Sequence, residues 1–160
     1  MIVVADATPL IALAKIEELP LLKQLFGTIY IPPAVYAEVV TNAPQRPGAS
    51  EVRRATWIET TPLQEISRLR YLRIELDPGE AEALVLAEEL QADWVLLDES
   101  KARHMAEALD LSYVGTVGLL LFAKRRGYIT TVRSLLDELC AKDFHLSDKI
   151  YQSILRQAGE

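Results

Sequence analysis

The 160-residue sequence predicts an α/β protein, a three-layer α/β/α domain on a central parallel sheet of about five short strands. Three observations carry this. Ile2–Ala5, Thr28–Ile31, Trp57–Thr60, Trp94–Leu97 and Leu111–Val114 are short, mostly apolar runs, as expected of strands covered on both faces. Helical patterns fall between them, so successive strands connect through crossovers. Half of the residues are hydrophobic and a quarter charged, the composition of a packed domain. This length suits one domain that buries roughly two thirds of its unfolded surface.

Each element has local reasons. The first strand ends at Asp6, and a helix follows from about Pro9 to Ile16, with Thr8 as N-cap and Pro9 at the first helical position. Pro20 breaks the pattern before a second helical piece, Leu21 to Phe26. Pro32-Pro33 opens the helix carrying Tyr36, Glu38 and Val39. Asn42 to Gly48, rich in Pro and Gly, is the clearest loop, and regular patterns resume directly after it. Asp77-Pro78-Gly79-Glu80 starts a helix that runs to about Leu90. Another spans Lys101 to Leu109. From about residue 116 the chain is helical: Thr116 caps a helix closed by Gly127, then come Val132 to Ala141 and Ser147 to Gln157. No internal repeat or low-complexity segment divides the chain, so residues 1–160 are expected to form one domain.

Charge and cysteine usage narrow the function classes. A net charge of −6 gives no global attraction for nucleic acid. Arg68, Arg70 and Arg73 form one basic cluster and Lys124-Arg125-Arg126 another. Such runs are usually solvated helix faces, and no aromatic interleaving marks a stacking platform for single strands. Cys140 is the single cysteine, which fits a reducing cytoplasm. The apolar start lacks a basic n-region, so no signal peptide is expected. The longest apolar run, Val114 to Ala123, has ten residues and two glycines, too short for a bilayer. His104 and His145 lack zinc-ligand spacing with the cysteine.

Four acids stand where such a sheet gathers its ligands. Asp6 and Asp98 follow strands; Glu38 and Glu80 lie on helices between them. Open parallel sheets bind ligands outside the carboxyl ends of their strands. Glu80 and Asp98 are eighteen residues apart, one helix plus one strand, which returns the helix start to the strand end. Asp6 joins them if its strand neighbours the Trp94 strand. Each acid also has a structural reading. Asp6 and Asp98 precede helices, Glu38 suits a solvated helix face, and Asp77 with Glu80 fits a capping box. Taken together, uncompensated carboxylates in one crevice favour a divalent cation.

The segments Val4-Ala5-Asp6-Ala7-Thr8-Pro9-Leu10-Ile11, Pro33-Ala34-Val35-Tyr36-Ala37-Glu38-Val39, Gly79 to Ala87 and Val95-Leu96-Leu97-Asp98-Glu99 resemble those of PIN domains. That fold is shared by many metal-dependent ribonucleases and VapC-like toxins. Lys101-Ala102-Arg103 and Val114 to Gly118 resemble a less characterised branch of the same family. The resemblance implies that Asp6, Glu38, Glu80 and Asp98 hold one or two Mg²⁺ or Mn²⁺ ions. It implies hydrolysis of RNA phosphodiester bonds, with one carboxylate accepting the water's proton. Two positions depart from the pattern. The third acid is usually Asp, whereas this chain offers Glu80, with Glu82 as the alternative. The fourth is usually preceded two positions earlier by Thr or Ser, and here by Leu96.

Supporting roles fall to Thr8, by a hydrogen bond to Asp6 or as a cap, and to Arg103 and Thr116 as phosphate contacts. Arg103 could equally pair with Glu99 one turn away, and Thr116 could simply cap its helix. The family likeness also implies partners: RNA, an antitoxin protein, and a second copy in a homodimer. The apolar Ile150, Ile154 and Leu155 form either an interface or core. A rival reading is a PIN-like binding module with weak catalysis. A haloacid-dehalogenase-type phosphatase wants a second Asp two residues after Asp6, where Thr8 stands. A phospho-receiver would want an acidic pair near the start and a Lys after a late strand.

Overall fold

The computed structural model describes residues 1–160. Five strands form one parallel sheet: β1 (Val3–Ala5), β2 (Ile29–Ile31), β3 (Ile58–Thr60), β4 (Trp94–Leu96) and β5 (Tyr113–Val114), in the order β3-β2-β1-β4-β5. The chain winds outward from β1 through β2 to β3, then restarts on the other side of β1 with β4 and β5. The reversal lies between β1 and β4, which pair with Val3 opposite Trp94, Val4 opposite Val95 and Ala5 opposite Leu96. In open α/β sheets the ligand crevice lies beyond the carboxyl ends of the strands at such a reversal.

Alternate residues of each strand feed opposite layers. Val3, Ala5, Ile29, Ile31 and Leu96 enter the larger core. Over it lie α1 (Ala7–Lys15), α2 (Leu21–Phe26), α3 (Pro33–Tyr36) and α4 (Ala49–Arg54), with α8 (Thr116–Arg125), α9 (Arg133–Ala141) and α10 (Asp148–Ala158). Val4, Val95 and Leu97 enter the second core, under α5 (Leu69–Leu72), α6 (Pro78–Leu90) and α7 (Ser100–Ala108). This is the three-layer arrangement predicted.

Several local expectations are corrected. The first helix starts at Ala7, so Asp6 and not Thr8 occupies the N-cap position, and its side chain makes no cap hydrogen bond. Thr116 is the first residue of α8, with Gly115 at the cap position. The third helix continues as a π turn, Ala37–Thr41, which the Asn42 amide closes by donating to the Ala37 carbonyl at 2.8 Å. Residues 66–76, which had no assignment, form a short strap of helical turns, Ile66–Arg68 and then α5. Leu69, Leu72 and Leu76 are buried at helical spacing. At the C-terminus, Leu155 is core, Ile154 packs against the core and Ile150 is half exposed. No helix is long and apolar enough to cross a membrane.

Candidate active site

Asp6 leaves β1 at the switch point, its amide donating to the Leu96 carbonyl of β4 at 3.1 Å. It is 3% exposed, one of the few buried polar residues. Its carboxyl is pushed up to about 8, first by burial and then by the charges of Asp77, Glu80 and Glu38, while the Ala7 amide pulls the other way. None of the three ion pairs in the molecule involves it.

The start of α6 closes on Asp6 because residue 79 is glycine. A Cβ on Gly79 would lie 3.2 Å from Asp6 Oδ1 and 3.5 Å from Asp77 Oδ1. Asp77 caps the helix: its Oδ1 accepts from the Glu80 amide at 2.8 Å, and Glu80 Oε2 accepts from the Asp77 amide at 3.0 Å. The predicted capping box is thus present. It is also part of the acidic crevice, for Glu80 is 6% exposed and its carboxyl is raised. Burial is the main cause, then the charges of Asp77, Glu99 and Glu38, against a lowering by the Asp77 amide. Glu38 sits at the rim on the π turn, raised by desolvation and by Asp77. Single-turn π segments recur at functional sites. Asp77 is therefore a fifth acid of the crevice. Its helix-capping pattern explains it locally, and its second role is visible only in the fold. Glu82, the alternative to Glu80, turns away and accepts from the Ala34 amide of α3 at 2.8 Å.

Asp98 follows β4 but engages other partners. Oδ1 accepts from the Thr116 amide at 2.8 Å and Oδ2 from the Thr116 hydroxyl at 2.6 Å. Arg103 Nη2 stands 3.6 Å from Oδ1, while Arg103 Nε donates to the Leu97 carbonyl at 2.9 Å. The guanidinium lies over the Tyr113 ring, 5.7 Å from its centroid, where cation–π attraction helps to hold it. Gly115 makes this possible, because a Cβ there would fall 2.0 Å from Arg103 Nη2 and 2.8 Å from Asp98 Oδ1. Arg103 thus pairs with Asp98 in place of Glu99. Thr8, the second residue of α1, lines a hollow with Lys15, Lys142 and Phe144, and its hydroxyl makes no hydrogen bond to Asp6.

The crevice therefore has two halves. Asp6, Glu38, Asp77 and Glu80 share one electrostatic environment. Asp98, Thr116 and Arg103 form a closed hydrogen-bonded group beside them. No three acidic side chains close around a single point in this arrangement. The donor chemistry of the first half still fits a hard divalent cation: carboxylate oxygens in excess, one of them buried without a cationic partner.

The family model DUF3368, described as a PIN domain, matches residues 2–160. No curated protein gives a significant match.

Proposed function

Because the chain belongs to the PIN-domain family, a nuclease-like fold, we propose that it is a metal-dependent endoribonuclease acting on RNA phosphodiester bonds. One observation carries the reading: Asp6 is buried at the switch point of the sheet among Asp77, Glu80 and Glu38, without a compensating cation. Burying an unpaired carboxylate beside three others destabilises a fold. A site for Mg²⁺ or Mn²⁺ gives that arrangement a purpose.

Asp6, Glu38 and Glu80 would hold the ion, with Asp98 completing the set on the far side of the crevice. Bound there, it would supply Lewis-acid polarisation of a phosphate oxygen and an acidified water. Glu80, whose carboxyl is raised by burial, is suited to accept that water's proton, whereas Asp6, at about 8, would hold its own proton near neutral pH until the ion displaced it. Arg103, whose side chain is partly exposed, can offer its remaining N–H donors to a phosphate at the mouth. The Thr116 hydroxyl is committed to Asp98 and orients it. By kinship with toxin-type PIN domains, the protein would serve as the toxin of a toxin–antitoxin pair. A basic side chain of the antitoxin would neutralise the crevice. A homodimer and a cytoplasmic location belong to the same reading.

A second reading is favoured by a specific observation. Both Asp98 oxygens are engaged and no three acids converge. A binding module with weak catalysis would look the same. The two are separated by incubating a mixed RNA pool with the wild type and with Asp6→Asn, in Mn²⁺, in Mg²⁺ and in chelator. The nuclease reading expects cleavage by the wild type with metal only, and background levels for Asp6→Asn. No cleavage by folded wild type under any of these conditions would leave the binding module.

A further inference from the structure

An RNA substrate is a polyanion, and it must be held against a net charge of −6 and an acidic crevice. The strap over residues 66–76 meets this need. Between Ile66 and Ile74 it carries three arginines and no acid. It is pinned to α6 on its inner side: Glu89 accepts from the Gln64 and Glu65 amides, Arg68 pairs with Glu88 at 2.6 Å, and Leu69, Leu72 and Leu76 enter the second core. Its outer side is therefore displayed on a fixed backbone.

That outer side is unusual for a folded surface. Ile66, Tyr71 and Ile74 are 67, 71 and 75% exposed. Arg70 and Arg73 flank Tyr71 and make no ion pair. A hollow of about 690 Å³ is lined by Ile66, Ser67, Leu69, Arg70, Tyr71 and Arg73, within the size range of small-ligand sites. The strap runs on along the chain to Asp77, the N-cap of α6. Arg73 precedes Asp77 by four residues, at most about 14 Å of chain, and the charge of Asp77 is felt at Asp6.

We propose that the outer face of this strap, Arg70, Tyr71 and Arg73 with Ile66 and Ile74 at its edges, docks single-stranded RNA leading to the acidic crevice. The tyrosine ring provides a stacking surface for a base, and the two arginines contact flanking phosphates. A second copy is a poorer occupant, since a two-fold contact would oppose like charges. The proposal takes its ligand from the ribonuclease reading, but its test does not depend on cleavage.

Binding of a fluorescein-labelled single-stranded RNA of about a dozen nucleotides is followed by anisotropy in chelator, with the full chain. Tyr71→Ala should weaken it about tenfold. Arg70→Ala with Arg73→Ala should flatten the plot of log affinity against log salt by about 1.4. Lys149→Ala, on α10, serves as an exposed control and should change neither. Unchanged melting temperatures would show that the strap variants fold. RNA affinity and salt slope indifferent to the strap variants would overturn the proposal, even if the wild type cleaves RNA. A change in the solution mass of the strap variants with unchanged RNA affinity would overturn it too, and would reassign the face to a protein contact. Wild type that binds through the strap yet never cleaves would uphold the proposal while removing the nuclease reading.

Discussion

Asp6 concentrates the chemistry and the instability of the fold in one side chain. Its folded-state pKa, about 8, lies above the ordinary 3.8, so the folded chain keeps a proton that the unfolded chain has released. Between those two values the folded state binds more protons, and stability must fall as pH rises through the window. The slope from this group approaches about 1.4 kcal/mol per pH unit. Glu38 and Glu80 are raised as well and act in the same direction. Asparagine at position 6 cannot ionise. In chelator near pH 8, Asp6→Asn should therefore be more stable than wild type by a few kcal/mol, and the difference should vanish near pH 4. Denaturant melts of both proteins across that range would measure it. A wild-type stability that rises from pH 5 to about 8 in chelator would mean that Asp6 is already ionised and compensated.

At the level of elements, the start of α6 serves two masters. Asp77 caps the helix through Oδ1 and also adds negative charge beside Asp6, Glu38 and Glu80. The two effects separate by substitution. Asp77→Ala removes the cap and should cost about 1 kcal/mol. Asp77→Asn keeps an oxygen for the Glu80 amide while removing the charge, so in chelator near neutral pH it should match or exceed wild type. Thermal melts of the pair decide the point: equal losses in both would mean that the charge of Asp77, the change the two share, stabilises the start of α6 more than it burdens its neighbours. The capping box itself was legible in Asp77-Pro78-Gly79-Glu80, as were the strand ends at Asp6 and Asp98, because short apolar runs followed by helix signals have few alternatives. What escaped was contingent on tertiary approach. The π turn under Glu38 has no local signature. Arg103 turns to Asp98 and not to Glu99 because Gly115, from the end of another strand, leaves it room. Glu82 is drawn off by an amide of α3, 48 residues away in sequence. The strap around Tyr71 was legible as a basic cluster, but which side chains face out depends on how its leucines seat on α6.

For the molecule as a whole, the sheet order sets the electrostatic problem and the cation would solve it. Strand reversal between β1 and β4 gathers the acids at one end of a chain whose net charge is already −6. A ligand that binds the folded state alone stabilises by RT ln(1 + [L]/Kd), about 2.7 kcal/mol at a hundredfold excess over Kd. For a chain of this size that raises the melting temperature by about 5–10 °C. Mn²⁺ or Mg²⁺ added near neutral pH should thus raise the wild-type melting temperature, and the gain should shrink as pH falls and protons compete for the same carboxylates. Asp6→Asn, already relieved of its charge, should start higher and gain little. Na⁺ at matched ionic strength is the necessary comparison, because screening of diffuse surface charge would also stabilise an acidic protein. A gain that is equal for Na⁺ and Mn²⁺, or equal in wild type and Asp6→Asn, would assign the effect to general screening and not to the crevice. A gain specific to the divalent ion and to Asp6 would tie the metal to the buried carboxylate whether or not any RNA is cut, so the site and its activity can be judged separately.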